Sequence, residues 1–181
     1  MAGIRWPVSG TGYRLLITGY RRYRLLITGY RRYRLPQFMN ILIIHGPNLN
    51  FLGLREPEIY GRLTLKELNA IIRKYAALKR VKTKIFQSNH EGRIIDLIAR
   101  HLNWADRLII NPAAYTHYSY AIRDAIKASG LPAVEVHLSD IKKREPFRRR
   151  SVTKAACAGQ INGLGPISYI KAIDFCLKRK F

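Results

Sequence analysis

The sequence predicts an α/β fold in which helices cover both faces of a doubly wound parallel sheet. Two features of residues 39–181 support this prediction. Short apolar runs rich in β-branched residues alternate with longer segments whose apolar residues recur at helical spacing. Each apolar run is followed by a polar break, and short runs of this kind are typical of parallel strands that are buried on both faces.

The first half of this region contains two predicted strands and two predicted helices. Residues 41–44 (Ile-Leu-Ile-Ile) form the first strand, because the run is too short for a helix. Thr64 is the predicted N-cap of the first helix, and Glu67 completes a capping box. The elements that follow are a strand at 81–87, a turn at 88–92 and a helix at 93–102.

The second half continues the alternation and brings the total to five strands. Its predicted elements are a strand at 108–110, a loop at 111–117, a helix at 118–129 that stops at Gly130, a strand at 133–136, a basic connection at 139–151, a short strand at 160–161 and a helix at 167–178. Right-handed crossovers restrict the topology of parallel strands. The flavodoxin-like strand order 2-1-3-4-5 fits this single five-stranded domain.

Residues 1–38 differ from the rest of the chain. The decapeptide LLITGYRRYR occurs twice without change, whereas structural repeats are about 20–50 residues long. The segment carries eight arginines and no acidic residue, and Met39 directly precedes the first strand. We expect residues 1–38 to be a basic extension, either disordered or an artefact of the gene start, and residues 39–181 to be the functional domain. A nucleic-acid-binding arm and a targeting segment are the alternatives.

The composition limits the class of protein. The net charge is +22, and 14 of these charges lie in residues 39–181, which favours anionic ligands and non-specific contact with nucleic acid. No run approaches the roughly 18 apolar residues that a membrane span requires. The two cysteines, Cys157 and Cys176, match no metal-binding spacing and indicate buried thiols in a reducing compartment.

Polar side chains follow the predicted strands at the point where each strand ends. The carboxyl ends of parallel strands meet at one edge of the sheet, where α/β proteins bind ligands. The candidates are Asn48, Arg55 and Tyr60 after the first strand, Asn111 and His117 after the third, and Glu135, His137, Ser139, Arg144 and Arg148 at and beyond the fourth. The loop after the first strand is longer than the usual connection of about 4–6 residues, which favours a lid over an ordinary connection.

Two pairs of these residues suggest acid–base chemistry. Glu135 and His137 are two residues apart on a strand, so their side chains share a face, and a carboxylate fixes the tautomer of a general-acid imidazole. Tyr60 is a poor base at the ordinary tyrosine pKa of about 10, but Arg55 could stabilise its phenolate. For both pairs a purely structural role is the alternative. Arg148 begins a run of three arginines that is either a solvated face or a group that grips a carboxylate.

Several common kinds of site are missing from the sequence. No glycine-rich phosphate loop follows the first strand, no trio of His, Cys and carboxylate has metal-ligand spacing, and no serine lies in a nucleophile elbow. We therefore expect neither a metal nor a cofactor.

Five motifs, in this order and spacing, resemble those of the type II 3-dehydroquinate dehydratases: GPNLNFLGLREPEIYG, FQSNHEG, INPAAYTHYSYAIRDA, VEVHLSDI and REPFRRRS. The resemblance covers residues 39–181 and leaves out the extension. It implies a hydro-lyase that removes water from 3-dehydroquinate by anti elimination through an enolate, without metal or Schiff base. The product would be 3-dehydroshikimate, an intermediate of the shikimate pathway to chorismate and the aromatic amino acids.

The resemblance also implies a role for each catalytic position. Tyr60 matches the base that takes a proton from C2, and Arg55 matches the lid arginine that keeps this tyrosine ionised and stabilises the transition state. Asn48 matches the residue that helps to hold the water that stabilises the enolate. His137 matches the general acid that protonates the departing C1 hydroxyl, and Glu135 matches its orienting partner.

The substrate-binding positions implied by the resemblance are Asn111, His117, Leu138, Ser139, Arg144 and Arg148. Asp124 matches a residue that reaches the site of a neighbouring subunit, since the family assembles as a dodecamer of four trimers. We expect a cytoplasmic enzyme that contacts nucleic acid only non-specifically. A nucleic-acid-binding protein that acts through the extension and a catalytically inactive oligomeric scaffold are the alternative functions.

Overall fold

The computed structural model describes residues 38–54 and 63–178. Residues 1–37 of the predicted extension lie outside these ranges, as do Arg55 and Tyr60, so the predictions made for them remain predictions.

Five strands form one parallel sheet. They are β1 (Asn40–His45), β2 (Lys82–Gln87), β3 (Arg107–Asn111), β4 (Ala133–Val136) and β5 (Gly159–Ile161). Their order across the sheet is β2-β1-β3-β4-β5, and every neighbouring pair is parallel. This confirms the predicted doubly wound, flavodoxin-like topology. The strand boundaries lie within one residue of those predicted.

Within residues 38–54 and 63–178, four α-helices alternate with the strands: α1 (Leu65–Leu78), α2 (Glu91–Arg100), α3 (Tyr120–Ser129) and α4 (Ile167–Lys178). The predicted capping box opens α1. The Thr64 hydroxyl oxygen accepts from the Glu67 backbone N–H, and the Glu67 carboxylate accepts from the Thr64 backbone N–H at 2.8 Å. Gly130 ends α3 with φ of 64°, a conformation that suits glycine.

Two helices begin at residues other than those predicted. The α2 helix begins at Glu91, two residues early, because Ser88 accepts the His90 backbone N–H at 3.0 Å in a tight turn that leads directly into the helix. The α3 helix begins at Tyr120, two residues late, because Ser119 caps it by accepting the Ile122 N–H at 2.9 Å. Short 3-10 helices occupy parts of the predicted loop and basic connection: Ala113–His117, Ile141–Lys143 and Pro146–Arg148.

The central strands β1, β3 and β4 are buried on both faces, as their apolar runs predict, whereas the edge strands β2 and β5 are only partly buried. One face shares a core with α1 and α4 that includes Ile41, Ile43, Ile109, Val134, Leu68, Ile72 and Ile173. The opposite face packs on α2 and α3 through Leu42, Ile44, Leu108, Ile110, Ile94, Ile98, Ile122 and Ile126. Burial of each such side chain is worth about 1.5–3 kcal/mol, so the two cores hold the strand ends in fixed positions.

Two further predictions concern composition. Cys176 is a buried free thiol, and Cys157 is a half-buried one. Within the described ranges, no helix is both long enough and apolar enough to cross a membrane.

The ends of β1 and β3 approach each other so closely that only glycine fits at position 46. A Cβ atom on Gly46 would lie 2.5 Å from the carbonyl oxygen of Pro112. The Gly46 backbone N–H donates to the carbonyl of Asn111 at 2.7 Å. This contact holds the polar segments that follow the two strands side by side.

His45, the last residue of β1, is fully buried. Its Nδ1 lies 2.7 Å from the hydroxyl of Tyr169 in α4, and its Nε2 lies 2.9 Å from Oδ1 of Asn69 in α1. Burial disfavours the charged ring and lowers the pKa of His45 to about 4, although the hydrogen bond with Asn69 opposes this change.

We expect the protein to lose stability as the pH falls from about 6.5 to about 4. In this range the unfolded chain binds a proton at position 45 that the folded chain does not bind. The full effect is about 3 kcal/mol, at about 1.4 kcal/mol for each pH unit between the two pKa values. Urea unfolding over this pH range measures it. The variant His45→Gln, which cannot titrate, should show a flatter dependence, and equal slopes for the two proteins would contradict the prediction.

Candidate active site

A cleft opens at the carboxyl ends of β1, β3 and β4. The residues that line it come from the segments that follow these strands: Pro47, Asn48, Leu49, Phe51, Leu52, Asn111, Ala113, Ala114, His117, His137, Leu138, Ser139, Ile141, Arg144 and Arg148. Eight of the predicted site residues are among them. The topology therefore gathers side chains that are far apart in the sequence at one edge of the sheet.

Glu135 and His137 form a buried pair at the end of β4. Glu135 is fully buried and His137 is 5% exposed. The imidazole Nε2 lies 2.6 Å from Oε1 of the carboxylate. A carboxylate oxygen accepts, so Nε2 carries a proton, and Nδ1 is the nitrogen left for a group in the cleft. The side chains share a face of the chain, as the spacing of two residues predicts.

Four other side chains donate hydrogen bonds to the same carboxylate. The distances to the carboxylate oxygens are 2.8 Å from Thr116 Oγ1, 2.9 Å from Ser151 Oγ, 2.6 Å from Thr153 Oγ1 and 2.8 Å from Gln160 Nε2. Burial alone would raise the pKa of Glu135, but the hydrogen bond and charge of His137 and the bonds from Thr153 and Gln160 lower it to about 2. Glu135 is therefore a carboxylate throughout the physiological pH range, and it accepts the hydrogen bond from His137 in its ionised form.

These four donors were not identified from the sequence. Ser151, Thr153 and Gln160 follow Glu135 by 16, 18 and 25 residues, and they reach it only because the chain returns to β5 beside β4. Thr116 precedes it by 19 residues. Scattered hydroxyl and amide residues form no motif. The one available signal is that a glutamate inside a buried strand requires partners.

Asn48, after β1, and Asn111, at the end of β3, also line the cleft. Asn48 adopts a left-handed conformation with φ of 65°, which asparagine tolerates better than most residues. Its backbone N–H donates to Oδ1 of Asn89 at 3.0 Å. Asn111 is 3% exposed, and its Oδ1 accepts the backbone N–H of Ala113 at 3.1 Å. Both asparagines are thus held by contacts of the loops in which they lie.

Two arginine side chains, Arg144 and Arg148, give the cleft a positive rim, and His117 also lines it. His117 is half buried, and its Nδ1 lies 2.7 Å from the carbonyl oxygen of Arg150. Arg144 Nε and Arg148 Nη1 lie 3.3 Å and 2.9 Å from the carboxylate of Glu145. Arg148 also stacks on the ring of Phe147 at 4.9 Å. The arrangement favours an anionic ligand, as the net charge predicts.

The remaining predicted site residues fall into three groups. Leu138 and Ser139 line the cleft next to His137. Asp124 is exposed on α3, where it pairs with Arg123 at 2.8 Å, and it is not among the lining residues of the cleft. Arg55 and Tyr60 lie outside the described residues.

No three side chains of His, Cys, Asp or Glu come together as possible metal ligands in the part of the chain that the structure describes. The groups that line the cleft are amides, hydroxyls, imidazoles and guanidiniums, which suit proton transfer and the binding of a carboxylate.

Comparison with known proteins relates this cleft to one family. The family model described as dehydroquinase class II matches residues 39–177. A protein of Caldicellulosiruptor saccharolyticus named 3-dehydroquinate dehydratase is 57% identical over 134 residues, which cover 74% of this chain and 92% of that protein. A protein of the same name from Dictyoglomus turgidum is 50% identical over 136 residues, which cover 75% of this chain and 94% of that protein.

Solved structures agree with the sequence comparison. The crystal structure of type II dehydroquinase from Butyrivibrio crossotus is 50% identical in sequence and matches with a TM-score of 0.76 over 78% of this chain and 99% of that chain. The corresponding enzyme of Propionibacterium acnes, at 37% identity, gives the same TM-score over 79% of this chain and 99% of that chain. The match includes the strands, the cleft and the Glu135–His137 pair within residues 39–177, and on this evidence the chain belongs to the class II dehydroquinase family.

Proposed function

We propose that this chain, a 3-dehydroquinate dehydratase, converts 3-dehydroquinate to 3-dehydroshikimate in the cleft at the ends of β1, β3 and β4. The observation that carries the proposal is the buried Glu135–His137 pair, which opens onto a cleft with a positive rim. A dehydration requires a proton for the departing hydroxyl, and the substrate is a carboxylate. The reaction belongs to the shikimate pathway.

His137 is the general acid of the proposed reaction. Its Nε2–H is held by Glu135, so the imidazolium can release a proton from Nδ1 to the C1 hydroxyl as the C–O bond breaks. The carboxylate stabilises the positive ring before the transfer and fixes its orientation. After the transfer His137 is neutral with its proton on Nε2, and the hydroxyl leaves C1 as a water molecule.

Tyr60 is the base that removes the C2 proton, and Arg55 lowers the energy of its phenolate by opposite charge. This assignment rests on the match of both positions to the family motif. Loss of the C2 proton gives an enolate, and Asn48 helps to hold the water molecule that donates a hydrogen bond to it. Asn48 lines the cleft after β1, and His137 lines it after β4.

The substrate carboxylate binds at the positive rim. Arg148 and Arg144 both contact Glu145, which is half exposed. Exposed ion pairs contribute only about 0–1 kcal/mol, so a ligand carboxylate can replace Glu145 at low cost. Asn111, His117, Leu138 and Ser139 supply the remaining contacts.

The proposal extends to the assembly, the cellular location and the domain boundary. We expect a dodecamer of four trimers in which Asp124, exposed on α3, approaches the cleft of a neighbouring subunit. Both thiols are free, which fits the cytoplasm. Residues 1–38 precede the segment that matches the family model, so we infer that they are dispensable for catalysis.

We expect the full chain to convert 3-dehydroquinate with an increase in ultraviolet absorbance, since the product is a conjugated enone. A shortened chain that begins at Met39 should have the same kcat and KM. Treatment with borohydride in the presence of substrate should leave the activity unchanged, because no Schiff base forms. Absence of turnover in both chains, or inactivation by borohydride, would overturn the proposed function.

We expect His137→Ala and Tyr60→Phe each to lower kcat by about 10²–10⁴-fold, the usual contribution of a general acid or base. The variant His101→Ala is the matched control, since His101 does not line the cleft and its Nδ1 bonds to the carbonyl of Leu97. Circular dichroism and light scattering should show that all three variants fold and assemble. A near-normal rate for His137→Ala or Tyr60→Phe would contradict the corresponding role.

We expect Thr153→Val to lower both stability and turnover, because the variant keeps the shape of threonine but leaves Glu135 without one of its donors. Loss of a hydrogen bond to a buried charge costs about 1.5–3 kcal/mol. Since the pKa of Glu135 then moves back toward its value in the unfolded chain, acid unfolding should begin at a higher pH. Urea unfolding, acid titration and turnover measure these effects. Thr153→Ser, which keeps the hydroxyl, should remain close to the wild type, and equal behaviour of the two variants would contradict the prediction.

A further inference from the structure

Four polar side chains form a hydrogen-bonded series that ends at the cleft, and three of them have no part in the mechanism above. The series runs from Asn69 in α1 through His45 and Tyr169 to Asn111, which lines the cleft. His45 and Tyr169 are fully buried, and Asn111 is 3% exposed. Buried polar groups of this kind are retained where they are fully hydrogen-bonded.

The direction of every hydrogen bond in this chain follows from one backbone group. The backbone N–H of Ala113 can only donate, so Oδ1 of Asn111 is the acceptor and its Nδ2 is a donor. The Asn111 amide donates to the hydroxyl oxygen of Tyr169, and this bond by itself lowers the pKa of that hydroxyl. Burial raises the pKa by more, so the Tyr169 hydroxyl keeps its proton. The Tyr169 O–H therefore donates to Nδ1 of His45, at 2.7 Å. His45 is neutral, and its Nε2–H donates to Oδ1 of Asn69 at 2.9 Å.

We propose that Tyr169, held by His45, is a positioning residue that fixes the Asn111 side chain so that one Nδ2–H faces the cleft as a hydrogen-bond donor. The Asn111 oxygen is occupied by Ala113, and the other Nδ2–H is occupied by Tyr169. The amide cannot turn over without breaking both contacts. Position 111 thus selects an acceptor oxygen on the ligand, such as a carboxylate or carbonyl oxygen, and rejects a donor.

This inference rests on the proposed function, because it gives Asn111 a ligand to hold. It adds that the selectivity of the contact originates in α4 and β1, outside the cleft lining. If Tyr169 only packed in the core, its substitution would change the stability of the whole fold. If it positions Asn111, its substitution changes ligand binding only through Asn111. The two cases differ in how the effects of substitutions at the two positions combine.

The test is a double-mutant cycle on the full chain with Tyr169→Phe, Asn111→Ala and the two together, assayed with 3-dehydroquinate. Tyr169→Phe keeps the ring and removes only the hydroxyl. We expect it to raise KM about tenfold, the loss for a misplaced hydrogen bond to a charged group, with kcat changed by less than about threefold. The double variant should match Asn111→Ala within about twofold. Effects on KM that multiply in the double variant would overturn the proposal.

Two control variants separate positioning from stability. Tyr75→Phe removes a hydroxyl that donates to Asp174 away from the cleft, and Ile173→Val loosens the core beside Tyr169. Both should leave KM unchanged at temperatures well below their melting points, and a similar rise of KM in either control would overturn the inference.

A further variant, Asn111→Asp, tests the direction of the hydrogen bonds even where Tyr169→Phe does not fold. Its carboxylate has no proton to donate, so KM should rise at least as much as for Asn111→Ala, and a KM near that of the wild type would overturn the proposal. Absence of turnover in the wild type would instead reject the proposed function.

Discussion

The burial of one charge, the Glu135 carboxylate, determines much of this structure. A carboxylate without partners in a protein interior is strongly unfavourable, so the fold is stable only when donors surround it. Those donors come from the turn after β3, from the segment before β5 and from β5 itself. Segments far apart in the sequence must therefore close around the same atom. That closure also holds His137, which lines the cleft and bonds to the same carboxylate.

The part of the cleft that follows β1 and β3 depends on the close approach of these two strands. Gly46 allows the two strand ends to touch, and the left-handed conformation of Asn48 turns the chain across the cleft. The buried His45, at the end of β1, bonds to Tyr169 of α4 and to Asn69 of α1. Hydrogen-bonded side chains as well as apolar contacts therefore hold the end of β1 to these two helices.

The charged groups of this protein act both through a long-range electrostatic field and through direct contacts. The net charge of +22 sets a positive field over the whole chain, which raises the rate at which anions encounter the surface. Arg144 and Arg148 act at short range, and their shared partner Glu145 is exposed enough to be displaced. By contrast, Glu135 is fully buried, and its contact with His137 at 2.6 Å lies within the protein.

The sequence by itself determined the order of the strands and helices, because apolar periodicity, the Thr64 capping box and Gly130 are local signals. It also determined the candidates at the strand ends, since β1, β3 and β4 bring their following residues to one edge. The starts of α2 and α3 needed the structure, because the Ser88 turn and the Ser119 cap override the apolar pattern. Only the tertiary structure decided which hydroxyls surround Glu135 and which side chains support Asn111. These contacts join residues many positions apart, and hydrogen-bond partners of this kind leave no periodic trace in a sequence.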